Sequence, residues 1–184
     1  MIAGVTITLI AAVGENGVIG CTNGQLPWHI PDELKHFRRL TEGQWLAMGR
    51  TTFESLGGGP GRPEPLPGRG IILVTRQGAA YDPPGTPNLR IAGSLFDAAR
   101  IAGEELELDE LFVAGGRYLF RAAEPYADRF WLSRIHKNPG SAVAWPEAQP
   151  EVVQRRWLDT AIHYLDPSGR FTVYRLENPM RMAG

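Results

Sequence analysis

Glu33 is the candidate acid of this chain. It lies in the run Leu26-Pro27-Trp28-His29-Ile30-Pro31-Asp32-Glu33-Leu34, with Phe37 and Thr41 following. Pro31 opening a helical pattern, with two acids directly behind it, marks a helix N-terminus. On a helix Glu33 shares a face with Phe37, four residues on, and Leu34 lies three residues from Phe37. A carboxylate, a leucine and a phenylalanine can then face one pocket, which suits a flat, mostly apolar heterocycle with one polar edge. Desolvation disfavours the ionised form of a lone carboxylate, so its pKa rises and it becomes useful for protonation near neutral pH. Acids in a first helical turn commonly do no more than complement the helix dipole, and that is the expectation for Asp32. Trp28 is open to two readings, an aromatic wall beside Glu33 or plain core packing.

A second set of residues suits an anion. Gly49-Arg50-Thr51-Thr52 ends an apolar stretch and opens a helix, where backbone amides make an anion site and Arg50 adds charge. Thr75-Arg76 offers a hydroxyl and a cation after another apolar run. Gly115-Gly116 ends a strand and opens a helix, a place where backbone can approach a phosphate closely. His29, His36, His136 and His163 show no metal-ligand spacing, so no metal is expected. Cys21 would be reactive if exposed, but is read as packing.

The elements that must position these groups alternate. Strands are expected over 5–13, 45–49, 71–75, 88–92, 111–114 and 130–135. Helices are expected from Pro31, over 51–56, from Ser94 (as N-cap) to Gly103, and from Gly116 to about Ala123. Residues 57–70 form a Gly/Pro-rich loop. Two strands, roughly 152–163 and 170–177, joined at Asp166-Pro167-Ser168-Gly169, close the chain as a hairpin. The fold class is α/β: a mainly parallel central sheet flanked by helices, with a C-terminal antiparallel hairpin. With 184 residues and no interdomain linker, 1–184 reads as a single domain. A net charge of −1 argues against nucleic acid or an anionic membrane as partner, and a single cysteine suits a reducing cytosol. With no basic n-region and no spanning run, the expected address is cytoplasmic and the expected state monomeric.

LPWHIPDELKHFRRLT resembles, residue by residue, the substrate-binding segment of dihydrofolate reductases. MGRTTFESLG resembles that family's pyrophosphate segment, and Leu66-Pro67-Gly68-Arg69 its L-P-G-R. The resemblance implies NADPH-dependent reduction of dihydrofolate to tetrahydrofolate, with hydride passing from nicotinamide C4 to pterin C6 and a proton reaching N5. It makes Glu33 the acid at the pterin's amidine-like edge and Trp28 the wall holding a water beside it. Substrate contacts fall on Ala12, Leu34, Phe37, Leu56, Leu66, Arg69, Ala114 and Ser133. Cofactor contacts fall on Ala12, Ile19 and Gly20 of a mobile lid, on Gly49, Arg50, Thr51 and Thr52, on Thr75 and Arg76 at the 2′-phosphate, and on Gly115, Gly116, Arg117, Tyr118 and Leu119. The Gly115–Gly116 peptide is expected to be cis, and Thr41 to tether the site from behind.

Several features depart from the family pattern. The loop from Gly20 to Pro27 is one residue longer, residues 57–65 carry an insertion, Ala114 replaces a bulkier aliphatic, and Phe120 stands where Tyr is common. Glu33, with the stretches 44–46 and 52–55, also resembles plasmid-borne reductases that tolerate trimethoprim. Two other readings remain open: the riboflavin-pathway pyrimidine reductase, which lacks the Pro-Trp…Glu-Leu…Phe pocket, and a protein that binds NADPH or folate without turnover.

Overall fold

The computed structural model describes residues 1–59, 62, 64–78, 81, 87–140 and 143–181. Along the chain run β1 (Thr6–Gly14), β2 (Val18–Gly20), α1 (Pro31–Thr41), β3 (Trp45–Gly49), α2 (Arg50–Ser55), β4 (Gly70–Val74) and β5 (Leu89–Ala92). Then follow α3 (Leu95–Arg100), β6 (Glu110–Val113), α4 (Arg117–Ala123), β7 (Arg129–Ile135), β8 (Val143–Ala144), α5 (Pro150–Arg156), β9 (Leu158–Leu165) and β10 (Phe171–Glu177). An eight-stranded sheet has the order β5-β4-β3-β6-β1-β7-β10-β9. Its pairs from β5 through β7 are parallel, and β10 joins β7 and β9 antiparallel. The expected α/β class, with its closing hairpin, is the architecture observed.

Local signals explain most elements. α1 has Pro31 in its first turn, Asp32 and Glu33 beside it, and Arg38 and Arg39 in its last turn, all favourable to the dipole. Ser94 caps α3 by accepting from the Asp97 amide at 3.1 Å, and the helix continues as a π-helical turn over Ile101–Glu105. The central strands read as continuous apolar runs because the sheet is covered on both faces. On one face Ile7, Leu9, Ala47 and Ile72 pack against Ala98, Ala99, Leu119 and Phe120 of α3 and α4. On the other, Ile10, Leu46, Met48 and Phe53 pack with Phe37 and Leu40 of α1. Each fully buried Ile, Leu, Met or Phe side chain among them contributes about 1.5–3 kcal/mol.

The expected strand over 152–163 is a correction. Residues 150–156 form α5, and β9 begins only at Leu158. Val152 and Val153 favour a strand, but Pro150 in the first turn, Glu151 behind it and Arg155 and Arg156 at the end specify a helix, and burial of Val153 selects it. The small β2–β8 sheet was not expected; it joins two- and three-residue strands too short to show a pattern. Of the 57–65 insertion, Pro60, Gly61 and Pro63 lie outside the described residues. Among the described residues no helix is long and apolar enough to cross a membrane.

Candidate active site and cofactor cleft

α1 carries Glu33 into the protein, where the residue is only 5% exposed. Burial pushes its carboxyl above the ordinary 4.5, and a hydrogen bond from Ser133 opposes that only in part. Ser133 is brought there by β7, whose register sets it opposite Ala12 of β1. Phe37, Leu66 and Ala114 pack against one shared cluster. Trp28 packs with Ala12 on a neighbouring cluster of Ile30, Ile135, Phe171 and Val173. Its Nε1 is buried with no hydrogen-bond partner among the described residues. Leu34 and Leu56 are exposed.

Arg69 is buried, and its Nε and Nη1 have no partner among the described residues. Burial, and secondarily Arg38, hold its pKa below the usual value. The Thr41 hydroxyl donates to the Phe37 carbonyl at 2.9 Å, a bond within α1 itself. Asp32 does more than complement the dipole. It accepts from Arg170 Nη2 at 2.8 Å and from Lys35 at 3.1 Å, and Arg170 also binds the buried Asp166. These bonds, Arg170 foremost, hold the Asp32 carboxyl below its usual pKa.

A cleft of about 820 Å³ opens at the carboxyl ends of the parallel strands, the usual ligand position in an α/β sheet. Gly49 and Val74 come from strand ends, Arg50, Leu95 and Arg117 from helix starts, and Ile19 and Gly20 from β2. Thr51, Thr52, Thr75, Arg76, Gly116, Tyr118 and Leu119 also line it, so twelve of the fourteen expected cofactor residues meet here. Ala12 and Gly115 do not line it. Ala12 lies on the Glu33 side, and Gly115 points its carbonyl at the Gly49 amide, 2.7 Å away. The Gly115–Gly116 peptide is cis, as expected. A Cβ on Gly116 would come within 3.1 Å of Thr52 Oγ1, so glycine lets this backbone lie close against α2.

Arg50 is held by Glu54 at 3.3 Å, and Tyr81 also donates to Glu54. Arg117 lies over the Tyr118 ring at 5.0 Å, with its Nε buried and unpartnered among the described residues. The cleft thus has three arginines and, among the described residues, no acid. Sequence reasoning missed Cys21, Thr22, Gly24, Ser94, Leu95 and Val143 in this wall. Ser94 was read as a cap and Cys21 as packing; nothing local marks Val143, which arrives through β8. Phe120, in place of a tyrosine, is buried and stacked on Trp145 at 4.7 Å.

Comparison with known proteins agrees with this geometry. The family model described as "Dihydrofolate reductase" matches residues 6–164. Dihydrofolate reductase type A13 of Escherichia coli is 37% identical over 164 residues, covering 87% of this chain and 91% of the relative. The dihydrofolate reductase of Bacillus subtilis (strain 168) is 38% identical over 130 residues, covering 71% and 69%. The structure of Enterococcus faecalis dihydrofolate reductase, complexed with NADP(H) and RAB-propyl, superposes with a TM-score of 0.72 at 25% identity, covering 97% of this chain and 98% of that one. With an acid buried on α1, an arginine-lined cleft across the strand ends and a family match over most of its length, the chain belongs to the dihydrofolate reductase family.

Proposed function

We propose that this chain carries out the reaction its family is named for, NADPH-dependent reduction of 7,8-dihydrofolate to 5,6,7,8-tetrahydrofolate, with Glu33 as the acid at the pterin. The observation that carries the reading is Glu33 itself, a buried carboxylate bonded by Ser133 on a helix whose Phe37 packs beside Leu66 and Ala114. The cleft fits a phosphorylated dinucleotide. Three arginines line it, Arg117 Nε lacks a partner among the described residues, and Gly116 leaves room where a Cβ would press on Thr52.

When bound, NADPH supplies the hydride that reduces pterin C6. Glu33 pairs with the amidine-like edge, and burial, which raises its pKa above the ordinary value, favours protonation at N5 through water. Trp28 Nε1 is free to hold that water. Phe37, Leu66, Ala114, Leu34 and Leu56 pack the ring system, with Ala12 and Ser133 on the Glu33 side. Arg69, buried with nitrogens unpartnered among the described residues, binds the carboxylate of the glutamate tail. Arg50, Thr51, Thr52 and the Gly115–Gly116 turn cradle the pyrophosphate, while Thr75 and Arg76 grip the 2′-phosphate.

The same reading makes the protein a cytoplasmic, single-domain monomer, supported by its single cysteine and the family. Reduced inhibition by trimethoprim also belongs to it, because Ala114 leaves space where a bulkier aliphatic would stand. Inhibition equal to that of an ordinary bacterial reductase would sink that part.

The deciding experiment follows NADPH absorbance with dihydrofolate, comparing wild type with Glu33→Gln from acidic to neutral pH. Wild-type turnover that depends on dihydrofolate is expected, with a loss of roughly 10²–10⁴-fold in the variant at neutral pH that eases on acidification. No turnover by the intact protein, despite NADPH binding, would overturn the reading.

A further inference from the structure

Arg134 is a cation buried in the sheet, 8% exposed, and it follows Ser133 directly on β7. Strand alternation sends its side chain to the face opposite Ser133 and Glu33. There Nη1 donates to the Gly14 carbonyl at 3.3 Å and Nη2 to the Ala148 carbonyl at 3.0 Å. Among the described residues no carboxylate bonds it; Glu15, Glu151 and Tyr174 act only through space. A buried cation held by two carbonyls instead of an acid is costly to keep.

The two carbonyls root one ribbon. Gly14 ends β1 and leads into β2, while Ala148 closes the turn after β8. Between these roots Trp145 donates its amide to the Gly17 carbonyl at 2.8 Å, Val18 pairs with Ala144 and Gly20 with Val143. Asn16 Nδ2 adds a bond to the Pro139 carbonyl at 3.0 Å. Fully buried Trp145, stacked on Phe120, seats the turn against α4. The other end of the ribbon supplies Ile19, Gly20, Cys21 and Val143 to the cleft wall.

We infer that Arg134 is a positioning residue for NADPH: by pinning both roots of the β2–β8 ribbon it sets how closely that wall faces the floor built from α2 and α4. The inference rests on the reading of the cleft as the NADPH site. Ser133 and Glu33 lie on the other face of β7, so dihydrofolate binding and the proton step are independent of it.

The test measures NADPH Kd by titration, the dihydrofolate KM, the pH profile of turnover and Tm. The proteins compared are wild type, Arg134→Met and Arg134→Lys. The Met variant keeps the stem and loses every donor, whereas Lys keeps the charge and a single donor point. NADPH Kd is expected to rise about tenfold in Arg134→Met and about threefold in Arg134→Lys. Dihydrofolate KM should stay within about twofold and the pH profile should not move. A wild-type NADPH Kd in either folded variant overturns the inference. So does an equal weakening of both ligands alongside a lowered Tm, which marks a structural role only. Should Arg134→Met not fold, Arg134→Lys decides by the same criteria. Wild-type protein that binds no NADPH would instead overturn the functional reading, and with it this one.

Discussion

Glu33 shows what a site asks of a single residue. Buried beside apolar rings, with Ser133 as its hydrogen-bond partner, its carboxyl is held above the ordinary value of 4.5. For an acid raised on folding, the folded state binds the proton more tightly. Stability is therefore lost as pH rises from 4.5 through the raised folded value, and the loss is complete above it. Glu33→Gln should accordingly raise Tm at neutral pH while it removes activity, and the gain should fade as the pH falls through the raised value towards 4.5. Thermal melts of both proteins across that range check this; a lower Tm for the variant at neutral pH would contradict the burial argument. The residue's type and helix position were legible in the sequence. Its partner Ser133, a hundred positions away on β7, became legible only through the family resemblance, because no local pattern joins a helix's first turn to a distant strand.

At the scale of elements, α1 leans on the C-terminal hairpin at two levels. Its first turn is bound through Asp32 to Arg170, and one turn later His36 stacks on Tyr164 and meets His163. Burial, with His163 and Arg39 nearby, holds His36 down to about 4 from 6.5. A histidine lowered on folding leaves stability intact above 6.5; stability falls as pH drops through the window between 6.5 and about 4 and is fully lost below it. The loss is on the order of 2 kcal/mol, or roughly 4–8 °C in Tm. His36→Phe, which keeps a ring against Tyr164 and cannot titrate, should flatten the fall in Tm across that window. An unchanged acid limb would show that His36 is not the group responsible. α5 teaches the opposite lesson about legibility. Val152 and Val153 resemble a strand, yet Pro150, Glu151 and the closing arginines make a helix, and only packing of Val153 decides between them.

The whole molecule is nearly neutral, with a formal charge of −1, but its cationic groups are not evenly spread. Arg50, Arg76 and Arg117 converge on one cleft that has no acid among its described lining residues. A local positive field in a near-neutral protein selects the more highly charged dinucleotide and weakens with ionic strength. Arg76→Ala should therefore lower kcat/KM for NADPH by roughly 10–100-fold, leave that for NADH little changed, and reduce the salt sensitivity of the NADPH reaction. Equal losses with both cofactors would show that Arg76 supports the cleft without reading the 2′-phosphate.

The sequence by itself determined what short-range physics controls. Pro31 with its following acids made α1, the glycine pair Gly115-Gly116 after a strand made room for backbone, and alternating apolar runs and helical periods implied a covered, mainly parallel sheet. Tertiary structure decided what depends on residues far apart in the chain. It set the strand order around β1, the joining of β2 to β8, the bond from Arg170 to Asp32 across 138 positions and the reach of Arg134 to Gly14 and Ala148. The reason is energetic. Local preferences are written in a few adjacent residues, whereas a buried arginine or a two-residue strand is stable only once the surrounding core has formed and fixed its partners.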